Sequence, residues 1–265
     1  VTHSATPLSP ADLLSRPASG AIGAGVHLHG FGGFHGGLTL ALMTSAMQGS
    51  VPDIPLASAT ARFHRPIGDD FRVDTSVIRS GRTVSTIGAR AVTAKGIHVD
   101  AQAIFGSLKP AAWRTFAPAP PVAPPPEDCE IFTIPPEFVA ISPYMEIRPV
   151  GPSRPYAGGS EPELIAWIRM VEDEKPPDAL RFVFLMDSLA PSYAAVLSTL
   201  ALVPTVELTV RPSGNLARAE SPWILLRART RSASADGWVD EQIDAWGPDG
   251  THLGSAQQLR VVRTD

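Results

Sequence analysis

Asp187 stands where this chain can least easily accommodate a charge. It follows the apolar run Phe182, Val183, Phe184, Leu185 and Met186, at the end of a stretch with helical character. A carboxylate taken out of water needs donors, and the carboxyl-terminal end of a helix is electrostatically unfavourable for an anion. A partner from elsewhere in the fold, or a bound water, must satisfy it. So placed, Asp187 is suited to orienting or deprotonating water. The plainer reading, an exposed Asp in a turn before Pro191, stays open at this level.

Two further polar residues fit the same chemistry. Gln258 and Gln257 are adjacent in the final strand candidate, so strand alternation sends them to opposite faces. At most one of them points inward, where its amide can donate to a carbonyl oxygen and accept from water. A polar edge strand would explain both equally well. Thr205 and Thr209 are expected on one strand face with Glu207 between them, and an inward hydroxyl can hold a water against Asp187. β propensity explains a threonine just as readily. His35, with Gly36 and Gly37 at the start of a helix, is a candidate for orienting a substrate, or else a capping or surface histidine.

Other chemistries are poorly supported. Cys129 is the single cysteine, so there is no disulfide framework and no cysteine-based metal site. The seven histidines make no HExxH pattern and no GxSxG elbow is present, so neither a metal site nor a cofactor site is expected. The glycine-dense stretch from 20 to 37 does not carry the spacing of a dinucleotide fingerprint. A net charge of −4 gives no phosphate footprint, so nucleic acid is not an expected partner. No leader and no long apolar run is legible, so a cytoplasmic protein without membrane insertion is expected.

The elements that must position these residues fall into two similar sets. GGLTLALMTSAM, residues 36–47, is apolar on nearly every side and reads as a helix buried all round. Strand candidates follow at 57–64, 71–79, 82–94 and 97–105, an antiparallel meander with no alternating βα units. Residues 1 to about 17 are expected to form an arm or a short helix over DLLSRP, 12–17. The second half offers a strand at 138–148, another at 163–170, a helix over 178–189 with Asp178 as its cap, and strands at 205–211, 223–232, 237–246 and 251–262. LASATARFHRP resembles PTVELTVRPSG, and KGIHVDAQAIFG resembles DGTHLGSAQQLRVV, in the same order and at nearly the same separation. Two copies of one antiparallel unit account for this. The expected division is 1–112, a proline-rich linker at 113–132, and 133–265, in an α+β chain.

With those residues in view, the chain resembles the thioesterase-like superfamily of fused hotdog domains, close to the type II acyl-CoA thioesterases and their actinobacterial relatives. The resemblance runs from about residue 20 to 263. It is carried by HGGLTLALMTSA, SATARFHRP, RSGRTVSTIGARAV and IHVDAQAIFG, then by FLMDSLAPS, PTVELTV and GTHLGSAQQLRVVR. It implies a double hotdog, each half an antiparallel sheet wrapped around a long helix, and hydrolysis of an acyl-CoA thioester without a covalent intermediate. It also implies that Asp187, Thr205 and Gln258 hold the attacking water, and that acyl-CoA is the partner, with Arg62 or Arg65 meeting its phosphates. Homodimers or homotetramers are implied as well. A non-catalytic acyl-binding or scaffolding protein and a hotdog hydratase remain alternatives.

Overall fold

The computed structural model describes residues 7–16, 20–108 and 113–263. Its elements in chain order are α1 (Pro10–Leu14), β1 (Ala21–Ile22), α2 (Gly36–Gln48), β2 (Leu56–Phe63), β3 (Phe71–Arg79), β4 (Val84–Thr93) and β5 (Gly96–Gly106). The second half adds β6 (Met145–Pro149), β7 (Glu163–Met170), α3 (Ala179–Leu185), β8 (Thr205–Pro212), β9 (Ile224–Ala233), β10 (Trp238–Trp246) and β11 (His252–Val261). The architecture is the α+β double hotdog, with the central helices wrapped by antiparallel sheet.

Helix α2 is buried on almost every side, as its composition requires. Leu38, Leu40, Leu42, Met43 and Met47 are all within the core. Its two buried threonines are satisfied locally: Thr39 donates to the His35 carbonyl at 2.9 Å and Thr44 to the Leu40 carbonyl at 2.7 Å. Burying those hydroxyls therefore leaves no unpaired polar group.

All eleven strands form one sheet in the order β1-β3-β4-β5-β2-β8-β11-β10-β9-β7-β6. The two halves join at the β2–β8 pair, where Ala59, Thr60, Ala61 and Arg62 lie opposite Val210, Thr209, Leu208 and Glu207. Inner-face residues of this seam, Ala59, Ala61, Leu208 and Val210, are fully buried. On the outer face the Thr60 and Thr209 hydroxyls meet at 3.0 Å and Arg62 pairs with Glu207 at 2.8 Å.

Helix α1 covers Pro10–Leu14 where 12–17 is expected, β1 is not expected from the sequence, and two longer elements also differ. The strand expected over 138–148 begins only at Met145, because Phe138 and Ser142 bond back to Pro135 and Val139 in successive turns, and Pro143 cannot donate to a ladder. Helix α3 ends at Leu185 instead of running on to 189. Its last bonds tighten to three-residue spacing, Asp187 to Phe184 and Ser188 to Leu185, so Asp187 lies in the closing turn just beyond the helix.

The proline-rich segment lies across the outer face of the second half. Trp246, Leu225, Trp167 and Arg148 form one row over β10, β9, β7 and β6. The Trp246 indole donates to the Pro118 carbonyl at 3.0 Å and Trp167 to Pro124 at 2.8 Å. Arg148 then donates to Pro126 and Cys129 at 2.9 and 3.1 Å. The segment offers free carbonyls because proline has no N–H and holds an extended, unpaired backbone. Cys129 is buried in this contact beside Trp167 and Leu225, and burial pushes its thiol pKa up. Replacing Trp167 or Trp246 by Phe is expected to cost about 1 kcal/mol each. Urea unfolding checks the loss, and faster proteolysis within 113–131 should accompany it.

Candidate active site

The Asp187 carboxylate is shared between the two halves. Its Oδ2 accepts the Gly37 N–H at 2.7 Å, from the first turn of α2. Its Oδ1 accepts the Gln258 side-chain amide at 3.0 Å, from β11. The donor missing from Asp187's own helix end is thus supplied by the opposite end of the other helix. That N-terminus carries a partial positive charge and unsatisfied N–H groups. A carboxylate offers about four lone-pair positions; with two used, the remainder can accept from a water or a substrate.

This approach depends on glycine at two successive positions. A Cβ on Gly37 would stand 2.6 Å from the Asp187 Cβ and 2.7 Å from the Phe184 carbonyl oxygen. One on Gly36 would stand 2.9 Å from Asp187 Oδ2 and 3.3 Å from Phe63. Among the described residues the Gly36 N–H makes no hydrogen bond, so it remains a free donor beside the carboxylate.

His35 caps α2. Its Nδ1 accepts the Leu38 N–H at 3.2 Å, and its ring packs edge-on against Phe184 with centroids 5.3 Å apart. The ring is buried, and burial lowers its pKa, with the nearby Asp187 carboxylate and backbone opposing. Because Nδ1 accepts, the neutral ring carries its proton on Nε2.

Gln258 is the inward glutamine. It is fully buried, while Gln257 is exposed and donates to Asp240 at 2.9 Å. Thr205 also faces inward, but not by simple alternation. The β8–β11 register shifts between Leu259 opposite Glu207 and Arg260 opposite Thr205, leaving Val206 as an extra residue. This bulge re-aims Thr205 to the inner face. The expectation that Thr205, Glu207 and Thr209 share one face is therefore corrected: Glu207 and Thr209 face outward. Thr205 donates to the Gln258 amide oxygen at 2.5 Å; among the described residues its hydroxyl meets that amide and Arg260, and makes no hydrogen bond to Asp187.

Three residues around the site escaped the sequence reading. Arg260 donates to the Thr205 hydroxyl at 2.9 Å and pairs with Glu241 at 2.7 Å; both charged side chains are almost wholly buried. The other Glu241 oxygen accepts the Ser192 N–H at 2.5 Å. A signal was present, since Arg260 lies two places from Gln258 on the same face of an alternating strand.

The structure does not bring Arg62 or Arg65 to this site. Arg62 is paired to Glu207 on the opposite face of the sheet, and Arg65 donates to the Lys95 carbonyl at 3.1 Å. A small apolar cavity of about 30 Å³ lies near the segment after Asp187, lined by Leu189, Ala190, Ile134, Ile147 and Leu164. Among the described residues no group of three His, Cys, Asp or Glu side chains is placed to hold a metal, and no helix is long and apolar enough to cross a membrane.

Two family models match the chain: the acyl-CoA thioesterase N-terminal domain over residues 27–106 and the acyl-CoA thioesterase C-terminal domain over residues 117–262. No curated protein matches it. Among solved structures it is similar to a hotdog-fold protein of unknown function from Alicyclobacillus acidocaldarius, with a TM-score of 0.84 at 21% identity, covering 92% of this chain and 93% of that one. A candidate thioesterase II from Thermobifida fusca gives 0.78 at 22% identity, covering 92% and 91%. An acyl-CoA thioesterase II from Mycobacterium marinum gives 0.68 at 18% identity, covering 86% and 88%. At these identities the structural likeness establishes the fold.

Two outcomes follow from this geometry. Gly37→Ala is expected to destabilise by roughly 1–3 kcal/mol, reversing the usual gain from alanine in a helix, and more than Gly36→Ala. Denaturant midpoints measure both. The lowered His35 pKa implies full stability above the ordinary histidine value near 6.5, and loss as pH falls from there toward the folded value, because the unfolded chain binds the proton first. His35→Asn, which keeps a capping acceptor, should lose less over that interval in pH-dependent melting. His252, also depressed by burial, contributes equally to both proteins.

Proposed function

The chain belongs to the acyl-CoA thioesterase family, and we propose that it hydrolyses the thioester of an acyl-CoA by direct attack of a water held on Asp187. The observation that carries this reading is the Asp187 carboxylate itself, fixed between the Gly37 N–H and the Gln258 amide with lone pairs to spare. Its motifs HGGLTLALMTSA and FLMDSLAPS favour a type II member.

In this mechanism the water gives a proton to Asp187 as its oxygen bonds to the acyl carbon. The developing oxyanion accepts the free Gly36 N–H, at the positive end of α2, and the second hydrogen of the Gln258 amide. Collapse of the tetrahedral intermediate breaks the C–S bond, and the proton on Asp187 passes to the departing thiolate. The products are a free acid and coenzyme A. The nearby Ser188 hydroxyl donates to the Phe184 carbonyl, which favours water over a serine nucleophile. Thr205 acts by orienting Gln258.

One observation supports a second reading. His35 lies close enough to Asp187 for the carboxylate to oppose its pKa shift, and a histidine–aspartate pair is what a hotdog hydratase would use. The committed Nδ1 makes Nε2 a donor, which disfavours His35 as a base.

Free-thiol release from acyl-CoAs of graded chain length tests the proposal. Asp187→Asn is expected to lower kcat by about 10²–10⁴-fold. Equal slow release by both proteins would eliminate the water site. Tight acyl-CoA binding without release would mark an acyl-binding protein, and hydration of a 2-enoyl-CoA would mark a hydratase.

A further inference from the structure

Beyond the residues that meet the water, we propose that Arg260, held by Glu241, is a positioning residue that anchors the Thr205 hydroxyl, and through it the Gln258 amide, in the hydrogen-bond chain ending on Asp187. This rests on the hydrolytic reading above. The inference follows from what each group can give and accept. A guanidinium only donates, so the Thr205 oxygen must accept from Arg260 at 2.9 Å. The hydroxyl keeps its hydrogen and one further lone pair; because the Asp187 carboxylate only accepts, it takes the Gln258 NH₂, and the amide oxygen is the atom left to accept the threonine hydrogen at 2.5 Å. With its oxygen turned to Thr205, Gln258 presents its NH₂ group to the Asp187 carboxylate at 3.0 Å.

Without Arg260 the Thr205 hydroxyl loses its anchor, and its hydrogen is free to rotate away from the Gln258 oxygen. The amide is then held at the carboxylate alone, and its second hydrogen is no longer fixed toward the acyl carbonyl. The accept-only carboxylate at one end fixes which way the amide faces, and the donor-only guanidinium at the other holds the hydroxyl that completes it. Glu241 is the anchor: one oxygen takes Arg260 at 2.7 Å and the other takes the Ser192 N–H, so the guanidinium cannot swing away. The pair is buried at 6% and 1% side-chain exposure, so solvent screens it little.

Removing Arg260 alone would strand the Glu241 charge and risk unfolding. The informative protein is therefore the double variant Glu241→Gln with Arg260→Met, which keeps an acceptor for Ser192 and leaves no buried charge. It is expected to fold with a near-native melting temperature and KM, while kcat falls about tenfold to a hundredfold, the usual range for supporting residues behind a reacting group. Adding Thr205→Val should lower kcat little further, because both changes break one link. A second readout needs no turnover: the Gln258 side-chain amide, observed by NMR hydrogen exchange, should be protected in the native protein and exchange faster in the double variant. A folded double variant with native kcat and native amide protection overturns the proposal. If the native protein hydrolyses no acyl-CoA, the hydrolytic reading fails, and the amide measurement still decides the positioning.

Discussion

The rest of the site depends on a single contact, the hydrogen bond from the amino terminus of one helix to a carboxylate just beyond the carboxyl terminus of the other. Asp187 by itself is in the wrong place: it ends an apolar helix whose own dipole repels it. The Gly37 N–H, from the other half of the chain, corrects both faults at once. It can do so only because residues 36 and 37 have no side chains to hold the helices apart. Neither half contains this site alone, which gives a physical reason for the fusion of two similar units through the β2–β8 seam.

From that contact a line of polar groups runs inward through Gln258, Thr205, Arg260 and Glu241. Each lies on the inner face of β8, β10 or β11, where apolar residues would pack more cheaply. A buried ion pair is weak evidence for stability, because desolvation offsets much of its attraction. Its value here is directional. A group that can only donate stands at one end and a carboxylate that can only accept stands at the other, so every amide and hydroxyl between them has one orientation.

The two faces of the sheet are covered by different means. The inner face receives α2 and α3, and the outer face of the second half receives the proline-rich segment through indole and guanidinium donors. A segment without N–H groups at its prolines can lie on a sheet face without adding a competing strand, which suits it to covering and joining at the same time.

Much of this was readable in advance because it follows from local periodicity. The buried character of α2 and the doubled order of elements each depend on the spacing of apolar residues along a few turns or strands, and alternation allowed at most one of Gln257 and Gln258 to point inward without saying which. Asp187 was legible as an anomaly, a charge after five apolar residues, although nothing nearby in the chain named its partner. What only the tertiary structure decided was long-range. Thr205 faces inward because one extra residue in β8 breaks the alternation, and that residue is extra only relative to β11. That Arg62 pairs with Glu207 across the seam, and that Arg65 meets the Lys95 carbonyl, could not be read from either segment alone. The donor for Asp187 lies 150 positions away in the chain. Periodicity records which side of its own element a residue occupies; the partner it meets there is fixed by the packing of two elements that no local pattern relates.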